Sequence, residues 1–174
     1  MTSDQELISK AGQGDEDAFA LLYQTYRDWV YSLAWRFLKD DGLAQDVVQE
    51  TFTYLIYKLP TLVLTARLTT FLYPVVKNLS LNQLRSRHLH ADLESVMLPA
   101  PTSASDHLED LRTLLQSLPS DQTEVLLMRF VDDMALAEIA TALKIPLGTV
   151  KSRLHHGLKA LRENPKCRQY FLDL

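Results

Sequence analysis

The chain has 174 residues, 47% of them apolar, and its 18 Lys and Arg stand against 22 Asp and Glu for a formal net charge of −4. That length can bury one large core or two small ones, and that apolar share excludes a disordered chain. The longest apolar runs fall short of the ~20 residues needed to span a bilayer, and the single Cys167 excludes an internal disulfide framework or an all-cysteine metal site.

The start MTSDQELISK lacks the basic-then-apolar order of a signal peptide, so a reduced, cytoplasmic protein with no membrane insertion is expected. An acidic total argues against nucleic acid, but the distribution of charge matters more. From 144 to 168, seven Lys and Arg face one acid, Glu163; from 77 to 90, three Lys and Arg and two His face none. The acids gather at 4–17, 40–50 and 92–110. Two basic patches on an acidic background fit two local phosphate contacts, and the remaining surface suits a basic protein partner.

In chain order, Ser3-Asp4-Gln5-Glu6 matches a capping box and opens a short helix to about Ala11. Beyond Gly12-Gln13-Gly14, the residues Phe19, Leu22, Tyr23, Tyr26, Val30, Leu33 and Phe37 hold helical spacing. That predicts a long amphipathic helix ending near Lys39, with Asp40-Asp41-Gly42 as its stop and Trp29 and Trp35 in the core. A third helix over 43–58 puts Ala44, Val47, Val48, Phe52, Leu55 and Ile56 inward and Asp46, Gln49 and Glu50 outward. Taken alone, that acidic trio equally suits a plain solvated face.

Pro60 ends the third helix, and 61–70 (TLVLTARLTT) has no second strand to pair with, so it is expected to be a partly buried connector. A fourth helix is predicted from Phe71 through Val75, Leu79 and Leu84 to about His88. Pro74 is tolerable there because the first N–H groups of a helix lack partners. Lys77, Asn78, Asn82, Arg85 and Arg87 mark its outer faces. The stretch 91–106, with two prolines and three serines, reads as a flexible linker.

Helical spacing resumes at Leu108, Leu111, Leu115 and Leu118, and Pro119-Ser120-Asp121 starts another helix through to Phe130. Leu136, Ile139, Ala140 and Leu143 then line one face of a helix, Pro146 and Gly148 punctuate a turn, and Val150, Leu154, Leu158 and Leu161 line a last helix. Lys151, Ser152, Arg153, His155, His156 and Lys159 occupy its other faces, with Thr149 near its start. An apolar spine with a basic, hydrogen-bonding outer face is what a helix needs to lie in a major groove. The fold class is therefore all-α: two small helical bundles, 1–90 and 107–174, joined by the flexible linker 91–106, the second a four-helix helix-turn-helix domain of winged-helix-like type. The histidine spacing does not suit a metal pair on one helix face. No phosphate loop, nucleophile–base pair or ligand cluster marks an enzyme or a cofactor site.

With both halves laid out, the chain resembles bacterial RNA polymerase sigma factors of the small extracytoplasmic-function group. Asp46-Val47-Val48-Gln49-Glu50-Thr51-Phe52 is similar to the family's acidic D-x-x-Q-E-x-F helix, and Phe71-Leu72-Tyr73 with Lys77-Asn78-Leu79 to its aromatic and basic-Asn-Leu run. Leu118-Pro119, Glu124-Val125-Leu126-Leu127, Glu138-Ile139-Ala140 and the run from Gly148 to Leu154 resemble its C-terminal DNA-reading domain. The resemblance implies a transcription initiation factor, not an enzyme, with core RNA polymerase, promoter DNA and an anti-sigma factor as partners.

It further implies that Asp46, Gln49 and Glu50 bind the polymerase clamp helices and that Lys77, Asn78, Asn82 and Arg85 take the minus-ten element. Thr149, Lys151, Ser152, Arg153, His155, His156 and Lys159 would then read the minus-thirty-five element while that domain docks on the flap. Tyr54, Tyr57, Phe71 and Tyr73 carry rings that can stack on bases or fill a core. The sequence departs from the family at Leu43 and Gln45, which replace two acids, at Pro74, and at Ala135, where Asp133 is the candidate replacement cap. A polymerase-independent helix-turn-helix regulator and a sigma-like decoy for an anti-sigma factor are the competing readings.

Overall fold

The computed structural model describes residues 4–91, 115 and 117–164. Its helices fall into two compact units, Met1–Val96 and Met97–Leu174. In the first, α1 (Asp4–Gly12), α2 (Glu16–Leu38), α3 (Asp41–Lys58) and α4 (Leu68–Ala91) follow one another, with a short 3-10 turn at Leu59–Thr61. The second holds α5 (Ser120–Phe130), α6 (Leu136–Leu143) and α7 (Leu147–Glu163). The Ser3 cap, the linker core, the helix expected around Leu108 and Leu111, and the tail beyond Asn164 lie outside the described residues.

The first unit is built around α2, which packs on α1, α3 and α4, while α3 packs on α4. Ile8, Leu22, Val30, Leu33, Val47, Leu55, Leu68, Leu72 and Val76 are fully buried there. Each contributes on the order of 1.5–3 kcal/mol of burial, so the 3.6-residue spacing of these side chains fixes which helix faces meet. Aspartates start the long helices: Asp15 Oδ1 accepts from the Ala18 N–H at 3.0 Å and Asp40 Oδ1 from the Leu43 N–H at 3.1 Å. Gly12 closes α1 against the 3-10 turn. A Cβ there would stand 2.9 Å from the Leu59 carbonyl oxygen, so only glycine fits without a shift of backbone.

Several sequence expectations shift here. The break after α2 is made by Lys39 in the left-handed conformation (φ 53°), its N–H donating to the Trp35 carbonyl; Asp40 caps α3 and Gly42 lies inside it. Trp35, expected in the core, is 42% exposed, with the Lys39 ammonium 4.3 Å above its ring. Ile56, expected inward, is also exposed, because it lines an open groove between α2 and α3 and is not packed in the core. The fourth helix begins at Leu68, three residues before Phe71, and runs on to Ala91. Pro74 therefore lies in its second turn, where it removes the bond that would have closed on the Thr70 carbonyl.

In the second unit α7 packs on both α5 and α6 over Val125, Leu126, Met128, Met134, Ile139, Ala142 and Val150. Gly157 lets α7 approach α5 closely: a Cβ there would lie 2.9 Å from the Leu126 Cδ1. The turn between α6 and α7 is made by Lys144 in the left-handed conformation (φ 55°), not by Gly148, which sits within the first turn of α7. At the start of α6 the cap position is Ala135, whose N–H donates to Glu138 Oε2 at 2.8 Å, half of a capping box. Asp133, the expected cap, is left-handed (φ 48°) and stands 3.6 Å from Arg129.

Candidate functional site

On α7 the burial of Val150 and Gly157, with Leu154, Leu158 and Leu161 partly covered, turns the opposite face outward. Lys151, Ser152, His155, His156 and Lys159 are exposed on it, and Thr149 is half-buried at its edge. The His155 and His156 rings meet edge-on with centroids 5.5 Å apart, and Lys159 is 3.9 Å from Glu163 one turn on. Arg153 is placed differently. Its Nε lies 3.0 Å from Asp121 Oδ2 on α5, and only 28% of its side chain is exposed. The predicted base reader is thus held at the seam between two helices. Sequence periodicity puts Arg153 on the outer faces of α7 with Lys151 and Ser152, and nothing in the spacing points to Asp121 as its partner.

On α4, Asn78, Asn82 and Arg85 are exposed together, since positions i, i+4 and i+7 share a face. Lys77 is half-buried at the flank of that face. Arg87 belongs to another side, where its Nη1 meets Asp40 Oδ2 at 3.3 Å and ties α4 to the start of α3.

On α3, Asp46, Gln49 and Glu50 are all exposed and continue as one stripe with Thr53 and Tyr57. Glu50 Oε1 accepts from Gln83 Nε2 at 3.1 Å, which steadies that carboxylate from α4. Beside the stripe, a half-open groove of about 700 Å³ runs between α2 and α3, lined by Phe19, Tyr23, Arg27, Gln49, Phe52 and Ile56 among others. Its floor is set by Phe52, whose ring meets Tyr23 at 4.7 Å and Phe19 at 6.4 Å between centroids.

The aromatic question resolves residue by residue. Tyr73 is buried at 3% exposure and belongs to the core, whereas Tyr57 is 78% and Tyr54 39% exposed. Tyr54 stacks on Phe71 with centroids 6.2 Å apart and rings 18° from parallel. Lys58, which the sequence pattern did not single out, places its ammonium over both tyrosine rings.

A helix pair with a tight left-handed turn and an exposed basic second helix, in one chain with a separate unit of four helices, defines a helix-turn-helix DNA-binding protein with a second working domain. Residues 22–89 match the family model described as Sigma-70 region 2, and residues 108–161 match Sigma-70, region 4. The chain belongs to the sigma-70 family, in its extracytoplasmic-function group. It is 29% identical to the ECF RNA polymerase sigma factor SigW of Bacillus subtilis, over 90% of this chain and 93% of that one. Identity is also 29% to the RNA polymerase sigma-H factor of Pseudomonas aeruginosa, over 91% of each. Two solved structures share the fold. They are the sigma factor RpoE of Bartonella quintana bound to the anti-sigma factor NepR (TM-score 0.64, 21% identity, 83% of this chain and 94% of that one) and CnrH bound to the cytosolic domain of CnrY (TM-score 0.68, 20% identity, 90% and 93%). No helix among the described residues is long and apolar enough to cross a membrane.

Proposed function

We propose that this chain is a transcription initiation factor that binds core RNA polymerase and directs it to promoters through two grips. The observation that carries the reading is the order of parts in one chain: an exposed acidic stripe, then an exposed polar-basic helix face, then a helix-turn-helix with a basic outer face. Asp46, Gln49 and Glu50 meet basic residues of the polymerase clamp helices. Asn78, Asn82 and Arg85, with Lys77 at their flank, follow the backbone of the minus-ten element. Thr149, Lys151, Ser152, His155, His156 and Lys159 contact the minus-thirty-five element, and this domain rests on the flap. Arg153 serves that helix from the seam with α5.

The division of labour follows residues 1–90 and 107–174, with 91–106 as the tether between the grips. The factor works in the cytoplasm and is not itself an enzyme; polymerase supplies the chemistry. An anti-sigma factor is a further partner, in keeping with the shared fold of two sigma factors solved with theirs. The polymerase tether explains how a chain of net charge −4 reads DNA: the basic face of α7 need not supply all the affinity by itself.

The test adds the full chain to core polymerase and maps the transcripts made. Specific start sites that vanish when Asp46 and Glu50 are both changed to Ala support the reading. Duplex binding without polymerase that both changes leave untouched would instead establish a simple helix-turn-helix regulator.

A further inference from the structure

We propose that Gln83 is a positioning residue for polymerase docking: its amide holds the Glu50 carboxylate in place on the acidic stripe without cancelling its charge. This deepens the initiation-factor reading above and rests on it. The contact joins two helices and two residues 33 apart in the chain, with Gln83 Nε2 on α4 donating to Glu50 Oε1 on α3 at 3.1 Å. A carboxylate offers only acceptors, so the nitrogen end of the amide is the end that faces it.

Packing explains why Gln83 reaches that point. Leu72, Val76 and Ser80 are fully buried on one face of α4, and Gln83 and Arg87 continue the same face at i+11 and i+15 from Leu72. Both are half-buried, and each reaches an acid across the seam: Arg87 meets Asp40 at 3.3 Å, and Gln83 meets Glu50. The two contacts treat the charge differently. Asp40 serves the fold, capping α3 through its other oxygen, and the Arg87 guanidinium neutralises it. Glu50 stands exposed on the docking stripe and receives a neutral donor.

A tie that served stability alone would gain more from a cation, because hydrogen bonds to a carboxylate are strongest when the donor is charged too. The amide instead fixes one oxygen and leaves the full negative charge for a basic side chain of the clamp helices. Among the described residues, Glu50 is the one member of the trio with Asp46 and Gln49 whose side chain is bonded to another helix. A long, flexible side chain loses rotamer freedom when a partner immobilises it. Holding it beforehand removes that cost, which is worth roughly three- to tenfold in affinity.

The test measures binding of the full chain to core polymerase by titration, in a double-mutant cycle of Gln83 and Glu50. Gln83→Leu keeps the bulk but loses the donor. It should weaken binding roughly three- to tenfold, with thermal melting of the free chain nearly unchanged. In the Glu50→Ala background the same change should have no effect. Gln83→Lys holds the carboxylate but cancels its charge, so it should also weaken binding and flatten its salt dependence. Promoter binding by holoenzyme preassembled at saturating chain should be the same for wild type and Gln83→Leu. Polymerase affinity equal to wild type in either Gln83 variant would overturn the proposal. So would a loss that persists in the Glu50→Ala background, which would make the role structural, or a loss confined to promoter binding, which would make Gln83 a DNA contact. A wild-type chain that did not bind core polymerase at all would refute the initiation-factor reading instead.

Discussion

Asp121 is the residue through which the account of α7 is most sharply exposed to test. Its carboxylate holds Arg153 Nε at 3.0 Å, with side chains 46% and 28% exposed, so the pair is only partly screened. Such pairs contribute from a few tenths to about 1 kcal/mol. Asp121 also lies in the first turn of α5, where a negative charge gains a further ~0.3–1 kcal/mol from the helix dipole. Asp121→Ala should therefore destabilise the second unit by on the order of 1 kcal/mol, a drop of roughly 4–8 °C in Tm for a domain of this size.

DNA binding should move the other way. Removing the acid frees the Arg153 guanidinium beside the exposed Lys151 and Ser152, adding one cation within reach of phosphate. The logarithmic salt dependence should steepen by ~0.9, the amount expected per neutralised phosphate. The assay is promoter binding by holoenzyme, titrated between about 50 and 200 mM salt, beside thermal melting of the free chain. Weaker binding with an unchanged slope would refute the reasoning. It would mean that Asp121 aims Arg153 at DNA and does not hold it back.

Four further outcomes are expected. Asp46→Lys with Glu50→Lys should lower affinity for core polymerase about tenfold or more by pull-down, with Tm nearly unchanged because both side chains are exposed. Gly12→Ala should destabilise the first unit by about 1–3 kcal/mol in denaturant unfolding, since its Cβ would meet backbone at Leu59, whereas Gly148→Ala meets open space and should be neutral or slightly stabilising.

Tyr26 is half-buried and donates to Asp4 Oδ2 at 2.5 Å; burial first, then that carboxylate, push its phenol well above the ordinary range. A folded-state pKa above the unfolded one contributes stability that is lost as pH rises, so melting should fall above about pH 10 in the wild type and fall less in Tyr26→Phe. Lys151→Ala should weaken promoter binding evenly across sequences and flatten the salt slope by ~0.9 if its exposed ammonium meets phosphate as proposed.

Much of this was legible in the sequence because burial imposes periodicity. Leu22, Val30 and Leu33, then Val47, Phe52 and Leu55, then Val150, were all placed inward by spacing alone, and all are buried. The exposed stripe of Asp46, Gln49 and Glu50 followed from the same rule read from outside. Helix ends were less legible, because single residues in left-handed conformation decide them. Lys39 and Lys144 end two helices in this way, although glycine is the residue that chemistry favours there. The start of α4 escaped because Leu68, Thr69 and Thr70 look strand-like locally, and only their burial against the first unit makes them helical. Contacts between distant positions were not legible at all. Arg153 with Asp121, and Tyr54 with Phe71, depend on how helices pack, which no spacing within one helix encodes.

The most direct measurement is transcription by core polymerase with and without the full chain, with start sites mapped across many templates. The account predicts discrete starts that need the chain, each preceded by two short elements a fixed distance apart. It also predicts that Lys151→Ala with His155→Ala weakens dependence on the upstream element, while Asn78→Ala acts on the downstream one. Random starts at saturating chain, or starts indifferent to both elements, would contradict it.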